Sequence, residues 1–242
     1  MAKFTQDAAT APRDIRSNSS VQECDLGTKV VTPDGRAFRY VKAGGTTLVI
    51  GTLLDGPATI AHATSIAVAA TAAAGTFAVT VTLGATAVVA NQYAGGVIAV
   101  NDADGEGYTY SIKSHPAADA SASLTLTLDD DEPIVTTLTT SSKVTLIPNQ
   151  YKGVVIHAQT EAGVSVGVCT YPITALYYGW IQTRGAVSCL HDATPAEIGE
   201  AVSASTTTDG CVTEQVTPLT EVGTALVQGV STEKNPIFLT ID

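Results

Sequence analysis

Charged side chains are scarce in this sequence of 242 residues. Only 14% of the residues are Asp, Glu, Lys or Arg, against about 25% in a typical soluble domain. Twelve Lys and Arg stand against 23 Asp and Glu, which gives a formal net charge of −11. Because nucleic-acid binding needs a basic surface, this balance excludes a nucleic-acid partner. The apolar content of 45% is ordinary, and a chain of this length can bury a core without cross-links.

Long apolar runs are also lacking. The most apolar stretch, 66–74 (IAVAATAAA), is rich in alanine and broken by threonine. It falls well short of the roughly 18 residues that a membrane-spanning helix needs. The first 20 residues contain no apolar segment of the kind found in signal peptides. We therefore expect no membrane partner, and synthesis in the cytoplasm of the producing cell.

Cysteine and histidine are too few and too scattered to indicate a metal centre. The cysteines share no CxxC spacing and are Cys24, Cys169, Cys189 and Cys211. The histidines share no ligand spacing with one another or with a cysteine, and are His62, His115, His157 and His191. We expect the cysteines to be buried free thiols. Since the glycines form no phosphate-binding motif either, we expect no metal and no cofactor.

Threonine alternating with apolar residues is what the sequence has in abundance. The pattern is clearest in 77–83 (FAVTVTL) and 123–128 (SLTLTL), and it is typical of half-buried antiparallel strands. Further predicted strands between turn signals include 46–54 and 225–230. The one helical candidate is the short segment 194–199 (TPAEIG). The sequence therefore predicts an all-β fold of antiparallel sandwich or barrel modules with almost no helix.

Composition divides the chain into three parts. Residues 1–28 are polar and carry no apolar period, so we expect an extended N-terminal arm. Residues 29–56 and 149–242 are expected to form the main β domain. Prolines bracket 57–148, which we expect to be an inserted β module.

One segment matches a catalytic motif. Residues 163–167 (GVSVG) fit the nucleophile elbow of serine hydrolases, which needs a strand, a sharp turn and then a helix. The residues that follow are strand-like and contain Pro172, and no Asp or Glu lies between Ser165 and His191. The pattern favours an ordinary strand with small residues. We expect no enzyme, and the enzymatic alternative rests on Ser165 and His191.

A second segment resembles the start of a calcium-binding loop. Residues 102–107 (DADGEG) place carboxylates at alternate positions before a glycine, as EF-hand loops do. The twelfth position is Lys113, where such a loop needs a glutamate. We expect a solvated hairpin turn, and an adventitious Ca²⁺ at Asp102, Asp104 and Glu106 remains an alternative.

Aromatic residues make up only 5% of the chain, and four of them fall within ten residues. They are Tyr171, Tyr177, Tyr178 and Trp180. Tyrosine and tryptophan are enriched at binding interfaces, and they also fill the ends of barrels. Both alternatives stay open from the sequence.

Several segments together resemble the capsid decoration, or cement, proteins of tailed bacteriophages. They are 34–54 (DGRAFRYVKAGGTTLVIGTLL), 80–128, 177–190 (YYGWIQTRGAVSCL) and the final IFLTID. The most distinctive short piece is YGWIQTRG, in which Arg184 occupies a variable position. The resemblance spans about residues 30–242 and includes no catalytic signature.

This resemblance implies a virion protein of the outer capsid surface, made in the host cytoplasm. Such a protein clamps neighbouring subunits of the major capsid protein, and the resemblance implies a homotrimer. It also implies that the arm, residues 1–28, lies along the capsid surface. The candidate contact residues are Phe4, Arg13, Ile15, Arg16, Phe38, Arg39, Tyr40, Tyr177, Trp180 and Arg184.

The alternative is a head-fibre or tail component of a tailed phage. In that case the module 57–148 would be an exposed domain that binds a host surface or a glycan. A decoration protein would instead occur at every junction of the capsid, whereas a tail component occurs at one vertex.

Overall fold

The computed structural model describes residues 14–160, 163–216 and 220–242, and it is all-β, which confirms the predicted fold class. The strands are β1 (Asn18–Ser19), β2 (Lys29–Val31), β3 (Ala37–Ala43), β4 (Leu53–Asp55), β5 (Ile66–Ala67), β6 (Ala78–Thr82), β7 (Val97–Asp102), β8 (Thr109–Ser114), β9 (Ser123–Leu128), β10 (Lys143–Ile147), β11 (Lys152–Ile156), β12 (Ser165–Cys169), β13 (Tyr178–Leu190), β14 (Ala201–Ala204), β15 (Val212–Glu214), β16 (Glu221–Ala225) and β17 (Lys234–Thr240). A 3₁₀ turn at Ala61–Ala63 is the one helical element in these ranges. Among the described residues, no helix is long and apolar enough to cross a membrane.

The described residues divide into two compact units. The smaller unit comprises residues 58–149. The larger unit comprises 14–57 and 150–242, so the chain leaves it after β4 and returns to it at β11. Each unit has its own sheet and its own buried apolar side chains.

The smaller unit is a closed barrel. Its strands pair in the order β5-β10-β7-β8-β9-β6, and Val68, just after β5, bridges Val81 in β6 to close the ring. Side chains along each strand alternate between the two faces. In β9, Leu124, Leu126 and Leu128 are buried and the threonines between them are exposed. The outward positions of this strand are therefore filled by threonine.

The larger unit is arranged around β13, a strand of 13 residues. The N-terminal half of β13 pairs with β3 on one edge and with β12 on the other. Strands β12, β4, β11 and β3 pair with one another in this order. Because β12 and β3 both pair with β13, the five strands form a closed ring. Strands β11 and β3 run parallel in this ring. The ring encloses an apolar core that includes Val41, Leu54 and Ile181.

The C-terminal half of β13 belongs to a second ring. It pairs with β17, which is followed by β16, β14 and β15. His191, directly after β13, bridges Val212 in β15 and closes this ring. The core of the second ring includes Val187, Val222 and Ile237. Strand β13 is thus shared by two rings of a single sheet.

The change of partner along β13 takes place at Arg184. This residue is opposite Ala37 at the start of β3 and opposite Thr240 at the end of β17. The ladder is irregular here, and the side-chain amide of Gln182 donates hydrogen bonds to the carbonyl oxygens of Arg184 and Ala186, both at 2.9 Å. A buried polar side chain therefore satisfies backbone acceptors at the irregularity.

Three local predictions are wrong in whole or in part, one for a helix and two for strands. Residues 194–199 form no helix, because the carbonyls that would bond within it are taken by other segments. The Thr194 carbonyl accepts the amide of Glu214 at 3.0 Å, and the Ala196 carbonyl accepts that of Gly229 at 2.9 Å.

The predicted strands 225–230 and 46–54 are also mostly irregular. Strand β16 ends at Ala225, because the next position faces Pro236, which has no amide to continue the ladder. In 46–54, a turn at Gly51 with a positive φ of 75° breaks the strand. Only its end belongs to β4.

The inward and outward faces of β9 are directly testable. We expect Leu126→Ala to lower the free energy of unfolding by about 2–5 kcal/mol, because it leaves a cavity in the smaller barrel. The matched control is the next residue outward, Thr125→Ala, which should change it by less than about 0.5 kcal/mol. Urea denaturation measures both. If Thr125→Ala is the costlier change, the strand faces are assigned the wrong way round.

Candidate functional site

Three of the predicted contact residues form an aromatic cluster within the larger unit. Phe38, Tyr40 and Trp180 are exposed by only 0%, 3% and 7%. The rings of Tyr40 and Trp180 are tilted against each other, with centroids 5.1 Å apart. The aromatic residues of YGW and of the first hairpin therefore stabilise this unit, and Phe38 presents no surface to a partner.

The described part of the arm covers this cluster. Strand β1 pairs with the start of β13, and Ile15, Cys24 and Leu26 pack against the aromatic side chains. Ile15 is half-buried there, whereas Arg16 is exposed. Phe4 and Arg13 lie outside the described residues. Residues 14–28 are thus engaged with their own chain.

Arg39 is held by an ion pair. Its Nε and Nη2 donate to the two carboxylate oxygens of Asp242 at 2.7 and 2.9 Å, and Lys29 Nζ lies 3.0 Å from the same carboxylate. The hydrogen bond from Arg39 is the main cause that lowers the pKa of Asp242 to about 2. The Arg39 guanidinium also lies over the ring of Tyr151 at 5.3 Å. The interactions of Arg39 are therefore internal.

Arg184 is the predicted contact residue that lies in a surface groove. The groove encloses about 710 Å³ beside the point where β13 changes partner. Its lining residues are Asp34, Gly35, Arg36, Arg184, Gly185, Ala186 and Phe238. Arg184 is exposed, and its guanidinium forms no ion pair or hydrogen bond with any described residue. The groove is referred to below as the Arg184 groove.

Local geometry explains the shape of the Arg184 groove. Gly185 has a positive φ of 90°, and a Cβ atom there would lie 2.9 Å from Cγ of Arg36, so only glycine lets the β2–β3 hairpin approach so closely. Arg36 is oriented by Asp34, with Nε 2.7 Å from the carboxylate. On the other side, Phe238 faces outward from β17 opposite Ala186 and is 41% exposed.

The Arg184 groove therefore combines the free cation of Arg184, the ion pair of Arg36 with Asp34 and the exposed ring of Phe238. Arginine and aromatic side chains are the groups that contribute most at binding interfaces. Phe238 was not among the predicted contact residues. The signal for it lies in the final segment PIFLTID, where alternation places Ile237 and Leu239 inward and Phe238 outward.

The hydrolase-like motif is an ordinary strand. Ser165 lies on β12 and its Oγ donates to Asp55 Oδ1 at 3.0 Å. The other oxygen of Asp55 is 2.7 Å from Nδ1 of His157, and Nε2 of His157 is 2.9 Å from the carbonyl oxygen of Ser205. The carboxylate lies between serine and histidine, so no imidazole is placed to take the serine proton, as a catalytic triad requires. A cavity of about 380 Å³ beside Ser165 and His157 consequently contains no activated nucleophile.

His157 is a buried cation. Its two ring nitrogens both face acceptors, so both must carry a proton. Burial disfavours this charge, but the hydrogen bond to Asp55, the charge of that carboxylate and the carbonyl of Ser205 outweigh burial and raise the pKa of His157. The histidine therefore joins β11 to β4 and to the segment that follows β14.

His191 is in the opposite situation. It is completely buried, and neither ring nitrogen has a hydrogen-bond partner among the described residues. Burial lowers its pKa, against a smaller effect of the neighbouring Asp192. His191 is therefore a neutral packing residue, and the carboxylate of Asp192 instead accepts the hydroxyl of Ser205 at 2.6 Å.

The calcium-like segment forms the hairpin between β7 and β8. Asp104 accepts the hydroxyl of Thr139 at 2.9 Å, and Asp102 lies 3.8 Å from Lys143. Across the described ranges, no three His, Cys, Asp or Glu side chains are arranged to hold a metal ion. The four cysteines are free thiols, as expected, with three buried and Cys24 half-buried.

Tyr177 lies on an exposed loop before β13 and is 37% exposed. Like Arg16 and Arg184, Tyr177 is a predicted contact residue of the larger unit whose side chain reaches solvent without an ion pair to a described residue.

No family model, curated protein or solved structure matches this chain.

The Asp242 ion pair predicts a pH-dependent contribution to stability. We expect Asp242→Asn to lower the free energy of unfolding at neutral pH by roughly 1–2 kcal/mol, because the carboxylate gains this much from its lowered pKa. A carboxylate whose pKa is lowered by folding stabilises the protein at any pH above the pKa that it has in the unfolded chain. This contribution is lost as the pH falls toward about 2, the pKa in the folded protein. The two proteins should thus converge in acid. Exposed Asp119→Asn is the control, and an equal loss there would refute the assignment.

The two buried histidines of the larger unit predict opposite pH trends. A raised pKa, as for His157, gives stability that is full below about pH 6.5 and lost as the pH rises. A lowered pKa, as for His191, gives stability that is lost as the pH falls below about 6.5. In the His191→Leu variant the contribution of His157 remains, so we expect its free energy of unfolding to fall toward about pH 8. In the His157→Gln variant the contribution of His191 remains, so we expect its free energy of unfolding to fall toward about pH 5.5. Urea midpoints across this range measure both, and parallel curves would contradict the assignment.

Proposed function

We propose that this chain is a structural, non-enzymatic virion protein that binds the outer surface of a tailed-phage capsid and clamps neighbouring major capsid subunits. It would be made in the host cytoplasm and would act in several copies, with three as the expected number. The resemblance of residues 34–54, 80–128 and 177–190 to capsid decoration proteins suggests this role. The structure of the larger unit adds a surface that suits it.

The Arg184 groove is the observation on which this proposal rests. A chain with a net charge of −11 exposes a free arginine beside an exposed phenylalanine, at the point where the two rings of the larger unit meet. An acidic, partly apolar segment of a capsid subunit would gain an ion pair with Arg184 and apolar contact with Phe238. We therefore place the capsid contact at this groove rather than along residues 14–28, which cover their own aromatic cluster.

The polar groups of the larger unit favour a binding role over a catalytic one. Ser165, Asp55 and His157 are saturated by one another and by the backbone. His191 is neutral and enclosed. These groups stabilise the rings, and none faces a cavity as a free acid, base or nucleophile.

Repetition explains how a modest groove can stabilise a large particle. One ion pair and one aromatic contact give weak binding by themselves. When several copies are joined, each further contact forms at a high effective concentration, so the assembly binds much more tightly than one copy. A capsid offers the same site many times, which suits a chain whose capsid contact is one small groove.

The proposal is tested by binding to expanded capsids purified without this protein. We expect Arg184→Glu and Phe238→Ser each to weaken capsid binding by about tenfold or more, because each removes a central contact. Bound protein after sedimentation of the capsids, measured over a range of concentrations, gives the affinity. Thermal denaturation of each variant establishes that it remains folded.

Matched controls lie on the smaller unit. Phe77 is 39% exposed, close to the 41% of Phe238, so Phe77→Ser removes a comparable apolar surface elsewhere. Lys143→Glu makes the same charge reversal as Arg184→Glu. Both controls should bind capsids like the parent protein. Equal loss in the controls, or undiminished binding by the Arg184 and Phe238 variants, contradicts the proposed contact, and no capsid binding by the parent protein contradicts the proposed function.

A further inference from the structure

Two loops of the larger unit lie side by side and form a single exposed surface. They are residues 44–51, between β3 and β4, and 170–177, between β12 and β13. Leu48 and Ile173 exchange backbone hydrogen bonds of 2.9 and 3.2 Å. The amide of Leu176 bonds the Gly44 carbonyl at 2.9 Å. The loops are therefore held to each other through the backbone.

This pair of loops points apolar side chains in two directions. Leu48 and Ile173 are completely buried and anchor the loops in the core of the first ring. Five other large apolar side chains reach solvent, and we refer to them together as the loop-pair patch. They are Val49 (45% exposed), Ile50 (47%), Tyr171 (36%), Leu176 (61%) and Tyr177 (37%).

Leu176 is the most exposed member of the patch and has an unfavourable backbone. Its φ is +67°, in the left-handed region that costs a residue with a Cβ atom about 1–2 kcal/mol and that suits glycine or asparagine. Strain of this kind is retained mainly at functional positions. Because Leu176 is exposed and asparagine adopts this backbone more easily, the fold itself does not require leucine at this position.

The two loops contain no charged residue. None of the residues in 44–51 or 170–177 is Asp, Glu, Lys or Arg, and the charged side chain that lies against them, at Gly51, is the cation Lys234 rather than an acid. Two copies of a chain with net charge −11 repel each other unless the surfaces that meet avoid the acidic residues. The Arg184 groove suits an acidic partner, whereas an uncharged apolar patch suits a surface like itself.

We propose that the loop-pair patch is the contact between copies of this chain. When a patch lies across a rotation axis, it meets the same patch on another copy of the chain. A patch that is complementary to an apolar, uncharged surface therefore needs no second surface to form the contact. Burying Leu176 and Ile50 against their counterparts removes apolar surface from water without bringing charges together. This inference deepens the proposed function by assigning the surface that joins the copies, and its test needs no capsid.

The experiment is sedimentation equilibrium of the full chain, without capsids, over micromolar concentrations. We expect the parent protein to be oligomeric. Leu176→Asn removes the apolar side chain and relieves the left-handed backbone, so the variant should remain folded while the dissociation constant rises by about tenfold or more. Ile50→Ser, which involves no backbone strain, should act in the same direction.

The control is Ile198→Asn, because Ile198 is 70% exposed in the same unit and outside the patch. It should leave association unchanged. A monomeric parent protein, or equal weakening by Ile198→Asn, overturns the inference. Failure of the capsid contact would look different: the protein would associate normally and not bind capsids, which refutes the proposed function and leaves this interface in place.

Discussion

Strand β13 runs for 13 residues through the larger unit, and its backbone amides and carbonyls need partners along both edges. No neighbouring strand is long enough for this, so β3 and then β17 follow each other on one edge, with Arg184 at the transition. At this transition the buried side-chain amide of Gln182 donates to the carbonyl oxygens of Arg184 and Ala186. The transition also requires Gly185 to let the first hairpin approach. The Arg184 groove is the outer side of this same transition.

The scarcity of charge has a structural counterpart. Buried charges are costly unless they are paired or hydrogen-bonded. In the larger unit His157 is paired with Asp55 and the partly buried Arg39 with Asp242, whereas the buried carboxylate of Asp192 accepts hydroxyl groups of Ser205 and Thr207. The outer face of the smaller barrel carries threonine together with paired charges such as Lys113 with Asp130. Arg184 is exposed, forms no ion pair with a described residue, and lies in the groove beside Phe238. An uncharged apolar patch and a cationic groove are thus two distinct surfaces on an otherwise acidic chain.

Features that depend on local alternation were predictable from the sequence, and those that depend on distant pairing were not. Alternation in 123–128 predicts β9 with the correct inward face. The ring closures could not be predicted, because β3 and β13 lie about 140 residues apart and their pairing leaves no local signal. The same limit explains Trp180, for which the sequence left both core and interface open, because its contact with Tyr40 joins residues about 140 positions apart. Arg184 was singled out from the sequence, whereas Phe238 was missed, because an exposed aromatic residue in a short strand is not distinctive.

The proposed role is that of a repeated component of a capsid surface, in contact with capsid subunits through the Arg184 groove. An electron microscopy map of intact virions tests this role. We expect density for the chain at every junction between major capsid subunits, with the groove of β13, β17 and the first hairpin against a subunit. Density confined to one vertex, or a groove that faces solvent in every copy, would contradict it.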